Sequence, residues 1–310
     1  MTSQQMREVS AALRVQRATS PTGTGTVADM RAGFEAQQSA LPIPPDVDAL
    51  DITVAGCPAR RIRTPGVRED RGTLYLHGGG YVMGSLNTHH ELMSRIARST
   101  NAQVLGLDYR LAPEHLYPAA VEDAVGAYQW ILEQDIAPKR IVIAGDSAGG
   151  GLTLATLLVI RDRKLPMPAG AILFSPWTDL TSSGASVVTR AEADPMIGPE
   201  VLLPMAAHYA GKQPSNTPGI SPLFGDLRGL PPLLIQVGDA EVLLDDSTRL
   251  HERAQAAGID STLHVFPEAF HVFQAVPMLP ESTEALTEAG AFFNRVTGRT
   301  RRQARFDDSR

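Results

Sequence analysis

The 310-residue sequence predicts an α/β fold: a mainly parallel eight-stranded sheet with helices on both faces. Three observations predict it. Short, two-sided apolar runs alternate with helical patterns, which is the signature of a parallel sheet covered on both sides. The pentapeptide Gly145–Asp146–Ser147–Ala148–Gly149 stands between one such run and a helical pattern, the setting of a sharp strand-to-helix turn. Three consecutive glycines, Gly78–Gly80, directly follow another run, Thr73–Leu76.

Along the chain, the first forty-odd residues carry Gln, Ser, Thr and Ala with scattered apolar positions such as Met6, Val9, Leu13, Met30 and Phe34. They read as two weakly amphipathic helices split at Ser20–Pro21–Thr22–Gly23, and they end in the stiff segment Leu41–Pro45. Asp51–Ala55 and Ala59–Arg63, joined through Gly56–Cys57–Pro58, read as a hairpin. The remaining strand expectations are Thr73–Leu76, Gln103–Leu107, Arg140–Ala144, Ala171–Phe174, Leu233–Val237 and Thr262–Phe266. Between most of them lie helical patterns at Thr88–Arg98, Ala119–Glu133, Gly150–Arg161 and Leu244–Ala257. Two regions break the alternation. The proline-rich stretch from about Ser182 to Pro222, around a helical patch at Glu200–Ala210, reads as an excursion able to cover a site at the strand ends. The charged segment Gly298–Arg310 reads as a frayed tail.

Composition removes several classes of function. With 28 Lys+Arg against 34 Asp+Glu the chain is mildly acidic, which argues against a nucleic-acid partner. The single cysteine, Cys57, permits no intrachain disulfide and no cysteine-based zinc site, and it reads as a small core residue. The N-terminal MTSQQMREVS has no apolar core of a secretory signal, and the longest charge-free apolar stretch, Ser147–Ile160, is too short for a membrane span. The expectation is a cytoplasmic protein without a membrane partner.

The chemistry concentrates in two motifs. In the turn around Ser147, glycines on both sides avoid clashes while the serine takes strained backbone geometry. Its hydroxyl is then exposed at the carboxyl edge of the sheet, above a helix N-terminus that stabilises developing negative charge. His77–Gly78–Gly79–Gly80 offers bare backbone N–H groups after a strand, the donors that an acyl-transfer oxyanion requires. His77, which precedes the glycines, reads as a residue that fixes the loop.

Together with Tyr109–Arg110–Leu111–Ala112–Pro113–Glu114, the run Gly145–Gly150 and Ser175–Pro176–Trp177–Thr178–Asp179–Leu180, these motifs resemble the hormone-sensitive-lipase-like branch of the α/β-hydrolases, the bacterial family IV esterases. The resemblance runs from about Thr73 to His271. It implies the α/β-hydrolase fold with a helical cap, built from residues 1–45 and an insertion at about 182–222 in a catalytic domain of residues 46–310. It implies a serine carboxylesterase for small-molecule esters of short to medium acyl chain, with no cofactor and no metal. It also implies an oxyanion hole from the amides of Gly78, Gly79 and Ala148.

In that fold the acid and the histidine follow the serine in chain order. Of the histidines beyond Ser147 in the C-terminal third, His251 falls in a helical pattern and His264 in a strand; His271 lies in a loop after the last strand, where a base can reach the serine. Family spacing after the strand Leu233–Val237 puts the acid on Glu241, with Asp239 as the rival closer to the strand end. Asp146 reads as a brace of the turn, and Asp108, Arg110, Glu114 and Asp179 as scaffold charges. Tyr81, Met83 and Leu86 stand as candidate substrate contacts, with core packing an equal reading. The pair His89–His90 lacks the neighbours of a metal site. A lactone hydrolase using the same residues remains an alternative, as does a non-catalytic small-molecule receptor, and a homodimer through the C-terminal edges stays open.

Overall fold

The structure, a computed structural model, describes residues 2–19, 25–39 and 41–298. The expected break at Ser20–Gly23 and nearly all of the expected tail lie outside them. The eight strands are β1 (Asp48–Val54), β2 (Cys57–Arg63), β3 (Arg68–Leu76), β4 (Ala102–Leu107), β5 (Ile141–Asp146), β6 (Gly170–Phe174), β7 (Leu233–Gly238) and β8 (Ser261–Phe266). They form one sheet in the order β1-β2-β4-β3-β5-β6-β7-β8. From β4 to β8 every neighbour is parallel, whereas β2 runs antiparallel to β4 and β1 to β2. This is the α/β-hydrolase architecture that the sequence predicts.

The helices are α1 (Gln4–Thr19), α2 (Val27–Gln38), α3 (His90–Thr100), α4 (Ala119–Glu133), α5 (Ala148–Asp162), α6 (Ser186–Thr189), α7 (Pro199–Ala210), α8 (Leu244–Ala256) and α9 (Pro280–Thr297). One face of the sheet buries Tyr128 of α4 and Leu152 and Leu157 of α5 against Leu74, Ile143 and Leu173. The other buries Leu92 and Ile96 of α3 and Phe292 and Phe293 of α9 against Tyr75, Val142 and Ile172. The central strand β5 is buried at every position, so it reads as a continuous apolar run rather than an alternating one. The helix α9 is absent from the sequence reading. Its apolar positions Leu286, Ala289, Phe292, Phe293 and Val296 do recur at helical spacing behind a proline at the first turn, but Ala, Gly and Thr dilute the pattern. Among the described residues, no helix is long and apolar enough to cross a membrane.

The two N-terminal helices are tied to the body by specific groups. Thr26 and Asp29 form a reciprocal capping box at the start of α2. Arg31 then anchors that helix, donating to the carbonyls of Val82 and Ala112 and making a two-pronged pair with Glu114. Glu114 of the DYRLAPE segment is thus an exposed anchor for α2 rather than a buried scaffold charge. In α1, Met6 is wholly buried with Phe266, Phe270 and Phe273. Ser3 donates through its backbone N–H and hydroxyl to Glu281 of α9. At the other end of α1, Arg17 donates to the carbonyls of Ala191 and Asp194 and pairs with Glu200 of α7.

Candidate active site

The strand β5 ends at Asp146 and the helix α5 begins at Ala148, so Ser147 alone makes the turn, at φ 52° and ψ −121°. A non-glycine residue there carries strain of about 1–3 kcal/mol, which the surroundings must hold. They do so with the Ser147 N–H donating to the Phe174 carbonyl and the Ser147 carbonyl accepting from Trp177 and Gly151. The flanking glycines are needed for room. A Cβ on Gly145 would lie 2.4 Å from the Gly149 carbonyl oxygen, and one on Gly149 would lie 1.9 Å from that of Leu76.

Across from the serine, His271 is carried by the loop after β8. Its Nε2 is 2.9 Å from Ser147 Oγ, and its Nδ1 is 2.9 Å from Glu241 Oε2. A carboxylate only accepts, so Nδ1 carries the proton and Nε2 presents its lone pair to the serine hydroxyl. Glu241 is fully buried, and its other oxygen accepts from Ser175 Oγ at 2.7 Å and from the Gly238 N–H at 2.6 Å. Burial alone disfavours the imidazolium. The bond to Glu241 and its charge, with Asp194 and Asp146 behind them, outweigh burial and hold the His271 pKa above its ordinary value. Among the described residues no hydrogen bond joins the rival Asp239 to His271; its Oδ1 accepts from the Glu268 N–H.

Asp146, adjacent to the serine, accepts from the Tyr75 hydroxyl and from the Gly78 N–H, and its second oxygen lies 3.4 Å from His89 Nε2. Burial works against its charge, yet His89 and the hydroxyl hold the carboxyl below its usual range. This bond corrects the expectation for Gly78: its N–H is taken by Asp146 and is not free for an oxyanion. Gly79 and Gly80 line the cavity instead, and among the described residues neither their amides nor that of Ala148 has a protein acceptor. Gly79 sits at φ +114°, and a Cβ there would lie 2.2 Å from the Met83 carbonyl oxygen. His77 fixes this loop. Burial pushes its pKa down to about 3, so it stays neutral, stacks on Tyr109 and donates Nδ1–H to the Gly78 carbonyl.

These groups open into a cavity of ≈ 410 Å³. Its walls are largely apolar and come from elements far apart in sequence: Leu13 of α1, Phe34 of α2, Met196, Leu202 and Met205 of the 182–222 stretch, and Phe270 beside His271. Of the three candidate substrate contacts, Met83 lines the cavity. Tyr81 and Leu86 do not. Tyr81 stacks on Tyr209 at 3.8 Å between ring centres, and Leu86 is buried beside Gly106 of β4. Core packing therefore accounts for both.

Two further polar residues, named in the sequence reading without a role at the site, belong to it. Ser175, at φ 45° after β6, donates to Glu241 and accepts from the Val272 N–H, linking the acid to the histidine loop. His89 lines the cavity behind the serine. A polar residue at the carboxyl end of a buried strand was the available signal for Ser175. The His89–His90 pair is split: His89 faces Asp146 while His90 Nδ1 lies 3.1 Å from Arg60.

Known proteins resemble this chain in both sequence and fold. Residues 73–275 match the family described as the alpha/beta hydrolase fold. The chain is 45% identical over 283 residues to an acetyl-hydrolase of Streptomyces hygroscopicus, covering 89% of this chain and 93% of that protein. It is 39% identical over 255 residues to an esterase of Acinetobacter venetianus, covering 81% of this chain and 84% of that one. Among solved structures it is similar to an esterase of the bacterial hormone-sensitive lipase family, at a TM-score of 0.92 and 44% identity over 96% of this chain and 100% of that one.

Proposed function

The chain belongs to the hormone-sensitive-lipase-like branch of the α/β-hydrolases and is a carboxylesterase, and from that premise we propose that Ser147, His271 and Glu241 are its catalytic residues. The observation that carries the assignment is the unbroken hydrogen-bond chain from the serine hydroxyl through the imidazole to a buried glutamate, at the floor of the cavity.

Ser147 Oγ attacks the ester carbonyl while His271 Nε2 takes its proton. Negative charge builds on the carbonyl oxygen, where the amides of Gly79, Gly80 and Ala148 meet it in the tetrahedral intermediate. The protonated His271 then gives its proton to the departing alcohol, leaving an acyl group on Ser147. Water, activated by the same imidazole, releases the acid. Glu241 keeps the proton on Nδ1 and stabilises the imidazolium.

We read α1, α2 and the 182–222 stretch as a cap over this site. The largely apolar cavity of ≈ 410 Å³ that they complete suits short to medium acyl chains, a size class consistent with small-ligand sites of about 300–1,000 Å³. The acetyl-hydrolase name of the Streptomyces relative points the same way. With p-nitrophenyl esters of increasing acyl length, kcat/KM is expected to be greatest from acetate to hexanoate and to fall by the dodecanoate. A maximum at the longest chains contradicts this reading.

Two further results are expected. Because protonated Nε2 cannot accept the serine proton, kcat/KM falls as pH drops through the His271 pKa. That midpoint is expected above the ordinary imidazole value of about 6.5 in a pH–rate profile, and a midpoint below it contradicts the geometry. Gly79→Ala is expected to lower kcat by about 10²–10³-fold, because the added Cβ cannot coexist with the Met83 carbonyl and the loop must move its donors. Turnover within threefold of wild type removes Gly79 from the assignment.

A further inference from the structure

Asp194 lies outside the serine–histidine–glutamate chain, in the stretch that covers the cavity, and only 1% of its surface is exposed. Its Oδ1 accepts from the N–H groups of Met196 and Ile197, at 2.9 and 3.1 Å. Its Oδ2 accepts from the N–H of Val242 at 3.0 Å, the residue next to Glu241. One carboxylate therefore shapes the Pro195–Ile197 wall of the cavity and bolts that wall to the segment carrying the acid.

Bracing a loop needs acceptors, not charge, and burying an uncompensated carboxylate is costly. Among the described residues no lysine or arginine pairs with the Asp194 carboxylate; Arg17 meets only its backbone carbonyl, at 2.6 Å. Burial holds the Asp194 pKa above the ordinary carboxylate value, while the charge of His271 and the N–H donors of Met196 and Val242 act the other way, toward the ionised form. The charges that act on Asp194 are those of His271 and Glu241, and those that act on His271 are Glu241, Asp194 and Asp146. The cation that the Asp194 charge can stabilise is the imidazolium that forms when Ser147 attacks.

We propose that Asp194 is a positioning residue of the reaction: it ties the cavity wall to the Glu241 segment and sets a second negative charge behind His271. The inference rests on the assignment of His271 as the base. It makes the wall and the acid one mechanical unit, so the cover contributes to the chemistry and not only to the shape of the pocket.

The test is the pH dependence of kcat/KM for p-nitrophenyl acetate in Asp194→Asn. Removing the negative charge makes the imidazolium less stable, so the acid limb is expected to move to lower pH by about one unit, with kcat down about tenfold. A loss of bracing alone lowers activity and leaves the limb in place, so an Asn protein with the wild-type midpoint and an unchanged melting transition overturns the proposal. Should the Asn protein fail to fold, Asp194→Glu decides. It keeps the charge while displacing the wall, so the midpoint is expected to stay and KM to rise; a limb displaced to lower pH by the same amount overturns the electrostatic role. The wild-type enzyme and Ser147→Ala run alongside. Activity that survives in Ser147→Ala, or a wild-type profile without an acid limb, defeats the assignment of the base itself; loss in Ser147→Ala with an unmoved limb in Asp194→Asn defeats only the proposal.

Discussion

Ser147→Ala is expected to lower kcat on a short p-nitrophenyl ester by about 10⁴-fold or more, with the fold intact. The substitution removes the only atom that bonds to the substrate carbon. Alanine leaves the turn held as before, since Ser147 is fixed there through its backbone bonds to Phe174, Trp177 and Gly151. The residual rate then reports binding and oxyanion stabilisation by the untouched amides. A fluorophosphonate probe should label the wild-type protein at Ser147 and leave the variant unlabelled. An alanine variant within tenfold of wild type would place the nucleophile elsewhere.

The second large effect separates two carboxylates two positions apart in the loop after β7. Glu241→Gln is expected to reduce kcat by about 10³–10⁴-fold. Glutamine still accepts from Gly238 and Ser175, so the fold has no reason to fail. If its amide nitrogen faces His271, however, it forces the proton onto Nε2, where the ring can no longer take the serine proton. Asp239→Ala, which loses one bond to the Glu268 amide, is expected to change kcat by no more than about threefold, an ordinary effect for a partly exposed side chain. Equal losses in both variants would remove Glu241 from the role proposed for it.

The contrast between these two acids shows where legibility stops. Both follow the same strand, and spacing alone ranks Glu241 above Asp239 without excluding either. What separates them is direction. Glu241 is turned inward, with one oxygen on His271 and the other on Ser175 and Gly238, while Asp239 is turned to the following loop. The oxyanion glycines carry the same lesson. Three glycines in a row announce close backbone approach, but which amides remain free depends on Asp146, which lies 68 residues further on and takes Gly78. Tyr81 and Leu86, which follow those glycines, turn into the core because Tyr209 and the Gly106 strand stand there to receive them.

By itself the sequence determined the local things: the strand–helix alternation, the strained turn at Ser147 with glycines on both sides, the glycine loop after β3, and the loop position of His271. Each follows from steric and hydrogen-bonding rules that act within a few residues. Only the tertiary structure decided the identity of the cavity wall, drawn from α1, α2, α7 and the loop at Asp194, and the choice among amides and among carboxylates. Those are decided by which groups meet across large separations in the chain, where a buried polar atom must find its partner or remain unpaired. A one-dimensional pattern lists the donors and acceptors; the packing of the sheet and its cover assigns them to one another.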